Sequence, residues 1–481
     1  MAAATLYDGA ARRSALDLAG RLRHLSETER DLIRLVKEPG YPRWREQIRA
    51  TGGCARPVYL SGYTTTADPS TGLVLKHYST RGEPGGRLAV RCRNRRASVC
   101  APCSREHSGD TFHLVRAGLL GGKSVPPEVA DHPRLFVTVT APPFGPVHRV
   151  GPDRCRPRRE GGECEHGRPL GCLAVHGEGD RNIGLPLCPQ CYDYASHVLW
   201  HAHAGELWNR TTRAIRRQLA TAAGITQTRL GAHLRVSFAK VAEYQRRGAV
   251  HFHAVVRLDG PTGPDTPPPA WATADLLADA VHRAVTAVRV RLEPSAALGE
   301  YVFGWGAQLD VHPVRAFGDA GALTDEAVAA YVAKYVSKSV GDAGGLDHRV
   351  RSLGAITAAV VSGHLRALMG MCWHLGGLPE LEHLRLWAWA HTLGYRGHCL
   401  TKSRRYSTTY IALRDARAAY RAGPVPDEQS ADGVVISAAW RYVGAGHTVG
   451  EAEIARGIAA DLADLRGLHR LLLSGSGRPD D

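Results

Sequence analysis

The sequence contains no uncharged apolar run long enough to span a bilayer. Its opening stretch, Met1 to Ser14, carries Asp8, Arg12 and Arg13 and lacks the apolar core of a secretory signal. These absences set the expectation of a cytoplasmic protein with no membrane partner. Nucleotide-binding machinery is missing too. Gly121-Gly122-Lys123-Ser124 approaches a P-loop, but Ala117 stands where the leading glycine belongs, and the preceding pattern is helical where a strand is needed. ATP binding is therefore not expected. No repeat or sustained heptad is present, which excludes solenoids and coiled coils. Acidic residues are in short supply: 46 against 61 basic ones, a formal charge of +15 and a pI near 9.5, so a polyanion is the expected partner.

What is there suits a folded, multi-module chain. At 481 residues, 44% of them hydrophobic and 7% aromatic, it can bury a large core. In a compartment where thiols stay reduced, 11 cysteines read as metal ligands rather than disulfides. Cys54, Cys92 and the tight C-x-x-C hairpin Cys100-Ala-Pro-Cys103 supply four thiolates for one structural zinc, with His107 competing for the place of Cys54. Alternation over Pro57 to Leu60 and Leu73 to Tyr78 suggests the short strands of a zinc ribbon. Cys188-Pro-Gln-Cys191 is a second knuckle. Cys155, Cys164 and Cys172 offer three thiols for its two remaining places, and His166 and His176 compete with them; Cys164 and Cys172 are the expected pair. Two structural zinc ions are expected.

The chemistry centres on Ala249 to Asp259, A-V-H-F-H-A-V-V-R-L-D, an apolar, β-branched strand entered through the turn Arg246-Arg247-Gly248. Side chains alternate along a strand, so His251 and His253 share one face, and antiparallel pairing puts Glu243 opposite His251. Two imidazoles and a carboxylate suit Mg or Mn with coordination positions left open. A chain with 24 histidines also contains H-x-H by chance, as at His201 and His203, where a helical pattern sends the two rings to different faces. His312, on an alternating segment with Gln308 and Asp310, is a spare metal candidate. Downstream, Thr324-Asp325-Glu326 starts a helix on which Tyr331 and Tyr335 lie one turn apart, with Lys334 and Lys338 as a neighbouring stripe. Phenols beside a cation site point to phosphodiester cleavage by tyrosine. A phenol with a pKa of about 10 is a poor nucleophile unless the phosphate is polarised or the phenolate is stabilised, the tasks of the ion and of Lys334.

The order F-V-T-V-T at Phe136 to Thr140, H-F-H at His251 to His253 and Y-V-A-K-Y at Tyr331 to Tyr335 resembles the three motifs of the HUH endonucleases, specifically rolling-circle replication initiators. Tyr244 to Leu258, His166 to Tyr194 and Gly397 to Thr409 resemble the RepSA-like initiators of actinomycete plasmids and integrative elements, so the likeness covers nearly the whole chain. It implies an origin-specific nickase and strand transferase that forms a 5′-phosphotyrosine and frees a 3′-hydroxyl. Tyr335 is then the first nucleophile, because related initiators with a single tyrosine keep that place, and Tyr331 is the second. The partners implied are plasmid origin DNA, single-stranded or in a hairpin, the host replisome, and a host helicase in place of the missing ATPase. Two rivals stand beside this reading: a related HUH transposase or relaxase, and a non-enzymatic zinc-ribbon repressor.

The expected fold class is α+β, an HUH-type antiparallel sheet with flanking helices, zinc-ribbon modules and a helical C-terminal region. Expected boundaries are a helical arm over 1–53, a zinc ribbon over 54–110, and a catalytic domain over 111–340 with a Cys-rich insertion at 145–194. A helical DNA-contacting region then covers 341–423, followed by a linker, terminal helix and tail over 424–481. Helices are predicted over Ala15 to Leu35, Ala195 to Ala223, Leu346 to Met371 and Leu381 to Leu393. In Thr401 to Thr409 basic, hydroxyl and aromatic side chains mix, so Lys402, Arg404 and Arg405, with Lys338, are the candidate DNA contacts.

Overall fold

Ser26 opens the first helix with a reciprocal cap: its hydroxyl accepts the Glu29 N–H at 3.2 Å while the Glu29 carboxylate accepts the Ser26 N–H at 2.7 Å. This helix is α1 (Glu27–Lys37) of a computed structural model that describes residues 24–158, 161–295, 297–315, 323–336, 338, 340–422 and 434–475. The start of the predicted Ala15 to Leu35 helix, the linker at 424–433 and the end of the tail lie outside the described residues.

The chain divides into two units, Met1–His107 with Ala422–Asp481, and Ser108–Arg421. In the first, α2 (Tyr41–Ala50) follows α1, and β1 (Val58–Ala67) pairs antiparallel with β2 (Val74–Ser79) and β3 (Leu88–Val90) along one edge. The other edge of β1 is covered by a strand from the far end of the chain, Val435–Ala445, in a register running from Val58↔Ala445 to Ala67↔Val435. The helix Val449–Gly475 then packs by Ala455 and Ile458 on Leu35, Trp44 and Ile48. This pairing draws the boundaries differently from the sequence reading: the arm, the ribbon and the terminal segment make one unit.

The second unit is α+β. Its elements are α3 (Ala101–Leu120, entering from the first unit), β4 (Arg134–Val139), α4 (Tyr194–Ala222), β5 (Arg235–Tyr244), β6 (Val250–Asp259) and α5 (Ala274–Ala287). There follow β7 (Leu309–Arg315), β8 (Leu323–Thr324), α6 (Asp325–Val336), α7 (Gly363–Gly376), β9 (Leu400–Lys402) and α8 (Tyr410–Ala422). The sheet order is β8-β7-β4-β6-β5-β9, antiparallel except for the short β8–β7 pair. One face packs Phe252, Val256 and Val236 on Leu207, Trp208 and Leu277 of α4 and α5. The other packs Phe136, Ala239, Val241 and Val255 on Leu114 of α3 and Val328, Val332 and Val336 of α6. At the β5–β6 turn, Gly248 has φ +77°, a left-handed conformation that a side chain would strain. Two buried arginines tie the sheet to its helices: Arg134 on β4 holds Asp325 at the start of α6 at 3.0 Å, and Arg257 on β6, paired with Asp259 on the same strand at 2.7 Å, donates to the Gly118 carbonyl of α3.

Three local expectations are corrected. Leu346 to Met371 is not one helix, because Ser352 and Ser362 each cap a separate start, giving Leu353–Thr357 and α7. Leu381 to Leu393 forms 3-10 turns broken at Arg385, whose φ is +50°. The Cys100 to Cys103 segment opens α3 rather than a hairpin. No helix among the described residues is long and apolar enough to cross a membrane.

Candidate functional site

The β5–β6 ladder puts Glu243 opposite His251, and the strand period brings His253 to the same face. Glu243 Oε2 lies 3.0 Å from His251 Nε2 and 3.1 Å from His253 Nε2, and the two imidazole nitrogens are 3.2 Å apart. Donors about 2.1 Å from one ion at adjacent octahedral positions stand about 3.0 Å apart, so these three atoms fit one face of a Mg or Mn coordination shell and leave the opposite face open. Burial opposes ionisation of Glu243, but hydrogen bonds from His251, His253 and Lys338 outweigh it and hold the carboxyl at about 2. Burial also pushes His253 below its ordinary value, which keeps the ring neutral and able to offer a lone pair. The Nδ1 of His253 meets Thr138 Oγ1 at 2.9 Å; with an ion bound in place of the hydrogen bond to Glu243, a proton donated there would leave the Nε2 lone pair to the metal. Thr138, the middle of F-V-T-V-T, was not singled out from sequence, although its register opposite His253 on β4 is what the motif encodes. Phe136 lies flat against His253, ring centroids 5.8 Å apart.

Helix α6 brings both phenols to this cluster. Tyr331 Oη is 3.3 Å from His253 Nε2, the Tyr335 ring stacks on His253 with centroids 5.7 Å apart, and the two tyrosine rings are 4.5 Å apart. Burial, then the hydrogen bond with Tyr335, raises Tyr331 above its ordinary value. Lys338 reaches Glu243 Oε1 at 3.2 Å and lies 4.2 Å over the Tyr335 ring, while Lys334, exposed, is 5.7 Å from that ring. Lys338, assigned to DNA from sequence, is thus the lysine nearer the carboxylate.

The remaining predicted contacts lie elsewhere. Lys402 is half-buried and donates to the carbonyls of Ser403, Arg404 and Ser407, so its ammonium braces its own loop. Arg404 and Arg405 line a groove with Arg216 and Arg235, toward the end of β5 away from Glu243. Phe238, bonded to Ser403, and Glu243 are five residue rises apart along β5, roughly 16 Å. His312 is exposed and joins no metal-holding group among the described residues. His201 is a core histidine, with Nδ1 on Leu393 O at 2.7 Å and Nε2 accepting the Val250 N–H at 3.0 Å.

Of the cysteines, Cys54, Cys92, Cys100 and Cys103 converge, with Cys54 Sγ 3.8 Å from Cys100 Sγ and 3.6 Å from Cys103 Sγ. Thiolates about 2.3 Å from a tetrahedral zinc stand about 3.8 Å apart, and backbone N–H groups of Ala55 and Cys92 point at these sulfurs as a thiolate set requires. In the insertion, Cys164, Cys188 and Cys191 meet as grouped from sequence, but their fourth donor is His166, 3.3 Å from Cys191. Cys172 is corrected: backbone pairing with Arg156 carries it to Cys155, beside His148 and His176.

Fold and cluster together define an α+β protein with three convergent donors that could hold one cation and paired phenols on one sheet face. The family described as "Replication initiator protein, pSAM2" matches residues 40–460. A replication initiator protein of Streptomyces ambofaciens is 48% identical over 441 residues, 90% of this chain and 93% of that one. The chain belongs to the RepSA family of replication initiators. No solved structure matches it.

Proposed function

We propose that this initiator starts rolling-circle replication by nicking single-stranded DNA at a plasmid origin and later rejoining it through a 5′-phosphotyrosine. One observation carries the reading: the Tyr331 hydroxyl lies 3.3 Å from His253 Nε2, in a cluster where three donor atoms fit a divalent ion and a second phenol is one turn away.

Glu243, His251 and His253 would hold Mg or Mn, whose contribution when bound is to polarise and position the scissile phosphate. Tyr335 attacks first. Its phenolic oxygen forms a bond to phosphorus as the bond from phosphorus to the 3′ oxygen breaks, and the net proton transfer is from phenol to that 3′ oxygen. Lys338, over the Tyr335 ring, favours the phenolate, and Lys334 meets charge on the phosphate. Burial keeps Tyr331 protonated until a second strand transfer calls on it. Thr138 fixes the His253 ring. The freed 3′-hydroxyl primes the host replisome, a host helicase opens the duplex, and the chain works in the cytoplasm. Arg404 and Arg405 would contact origin DNA away from the cut.

The test is cleavage of an origin oligonucleotide labelled at either end. With Mg or Mn, the fragment 3′ of the nick should become protein-linked and the other should gain an extendable 3′-hydroxyl; EDTA should abolish both. A chain that binds the oligonucleotide with metal present and never cuts it would instead be the zinc-ribbon repressor.

A further inference from the structure

The insertion between β4 and α4 holds a second complete set of metal donors. His148 Nδ1, Cys155 Sγ, Cys172 Sγ and His176 Nε2 all lie within 4.8 Å of one another. The two nitrogens are 3.1 Å apart, His176 Nε2 is 3.4 Å from Cys172 Sγ, and Cys155 Sγ is 3.9 Å from His148 Nδ1. Around a tetrahedral zinc, with nitrogen at about 2.05 Å and sulfur at about 2.3 Å, two nitrogens stand about 3.3 Å apart and a nitrogen–sulfur pair about 3.5 Å. The observed separations follow that pattern.

The surroundings are those of a metal site rather than of a chance cluster. His176 Nδ1 meets Asp180 Oδ2 at 2.5 Å, and Asp180 is itself anchored by the Asn182 N–H at 2.8 Å. A proton held between ring and carboxylate leaves Nε2 bare and aimed inward, the arrangement that orients a ligating histidine. The Arg149 N–H donates to Cys155 Sγ at 3.2 Å. Cys155 and His176 are 1% and 4% exposed, His148 and Cys172 are half-buried, and all four aim a donor atom at one point, where a bound cation would satisfy their inward lone pairs.

The site also has a place in the fold. The N–H of His148 bonds Leu185 O, and the N–H of Gly184 bonds His148 O, both at 2.9 Å. A Cβ on Gly184 would stand 2.4 Å from the Arg246 carbonyl carbon, so this ladder lies directly against the β5–β6 turn. Arg247 ties the same turn to Ala141 O and Pro142 O at the root of the insertion.

We infer that the insertion binds two zinc ions, one on His148, Cys155, Cys172 and His176 beside one on Cys164, His166, Cys188 and Cys191, and that the first clamps the ladder supporting the β5–β6 turn. The full chain, purified without a polyhistidine tag from chelator-treated buffers, should carry three structural zinc ions. Cys155→Ser should lose one equivalent, with His251→Ala measured alongside to account for any ion at the Glu243 cluster. X-ray absorption at the zinc edge of the same His251→Ala chain, which needs no change in the insertion, should give a mean of about three sulfur neighbours and one nitrogen per zinc. A two-zinc chain with sites at Cys54 and Cys164 alone would show about three and a half sulfurs. That ratio, or a folded Cys155→Ser chain with undiminished zinc, overturns the site. In Cys155→Ser, hydrogen exchange at the Gln245 and Gly248 amides should quicken at least tenfold while the β4 amides hold. Unchanged exchange at the turn overturns the clamp.

Discussion

Thr138→Val isolates the outer support of the proposed cation site at Glu243, His251 and His253. Valine keeps the volume and the strand preference of threonine but offers no oxygen to His253 Nδ1, now 2.9 Å from the hydroxyl. His253 is 3% exposed and stacked on Phe136, so water cannot replace the lost partner. A buried N–H left without an acceptor costs about 1–3 kcal/mol, and the ring escapes part of that by moving its proton to Nε2, the atom needed for the metal. Either way the neutral, inward-facing form loses that free energy, a factor of roughly 5 to 150 in metal affinity, which overlaps the 10- to 100-fold typical of outer ligands. The assay is a Mn titration of oligonucleotide nicking, paired with direct Mn binding. Half-saturation should move up by about tenfold or more, with the rate at saturating Mn within several-fold of the parent. An unchanged half-saturation in a folded variant would refute the orienting role.

Three further outcomes follow from the same geometry. Tyr331→Phe should keep the first nick and its covalent adduct but lose the second strand transfer, read by circularisation of a single-stranded product. Asp259→Ala should destabilise the second unit by about 3–5 kcal/mol, seen in thermal melts, because Asp259 is fully buried among Arg257, Ser237 and His132 and its loss strands a buried guanidinium. Lys240 sits 3.7 Å over the Phe252 ring and 3% exposed, and burial lowers it from 10.5 to about 7. The unfolded chain then binds the extra proton between those values, so stability rises with pH across about 7 to 10.5, by about 2–3 kcal/mol from pH 7 to 9. Urea unfolding of Lys240→Met should lack that slope and be the more stable chain at pH 7.

The site was legible in the sequence where its geometry is local. A strand period of two gives His251 and His253 one face, a tight turn sets Glu243 opposite, and one helical turn aligns Tyr331 with Tyr335. What the sequence hid depends on contacts distant along the chain. Nothing near Cys172 says whether it turns toward Cys155 or Cys188; the backbone bridge to Arg156 decides it. Val435 to Ala445 finds its partner in β1 some 370 residues earlier, and only the open edge of β1 explains why. Lys338 lies just beyond the end of α6, so a helical stripe misjudged its reach to Glu243.

The proposed chemistry has a phenol on α6 attacking phosphorus beside the Glu243, His251 and His253 cluster. Its most direct test is mass spectrometry of the proteolysed reaction of the full chain with Mn and a single-stranded origin oligonucleotide. The expected product is a 5′-phosphate adduct on Tyr335, absent with EDTA and absent in the Tyr335→Phe, Tyr331→Phe double variant. An adduct that survives in that double variant, or maps to a residue outside α6, would contradict it.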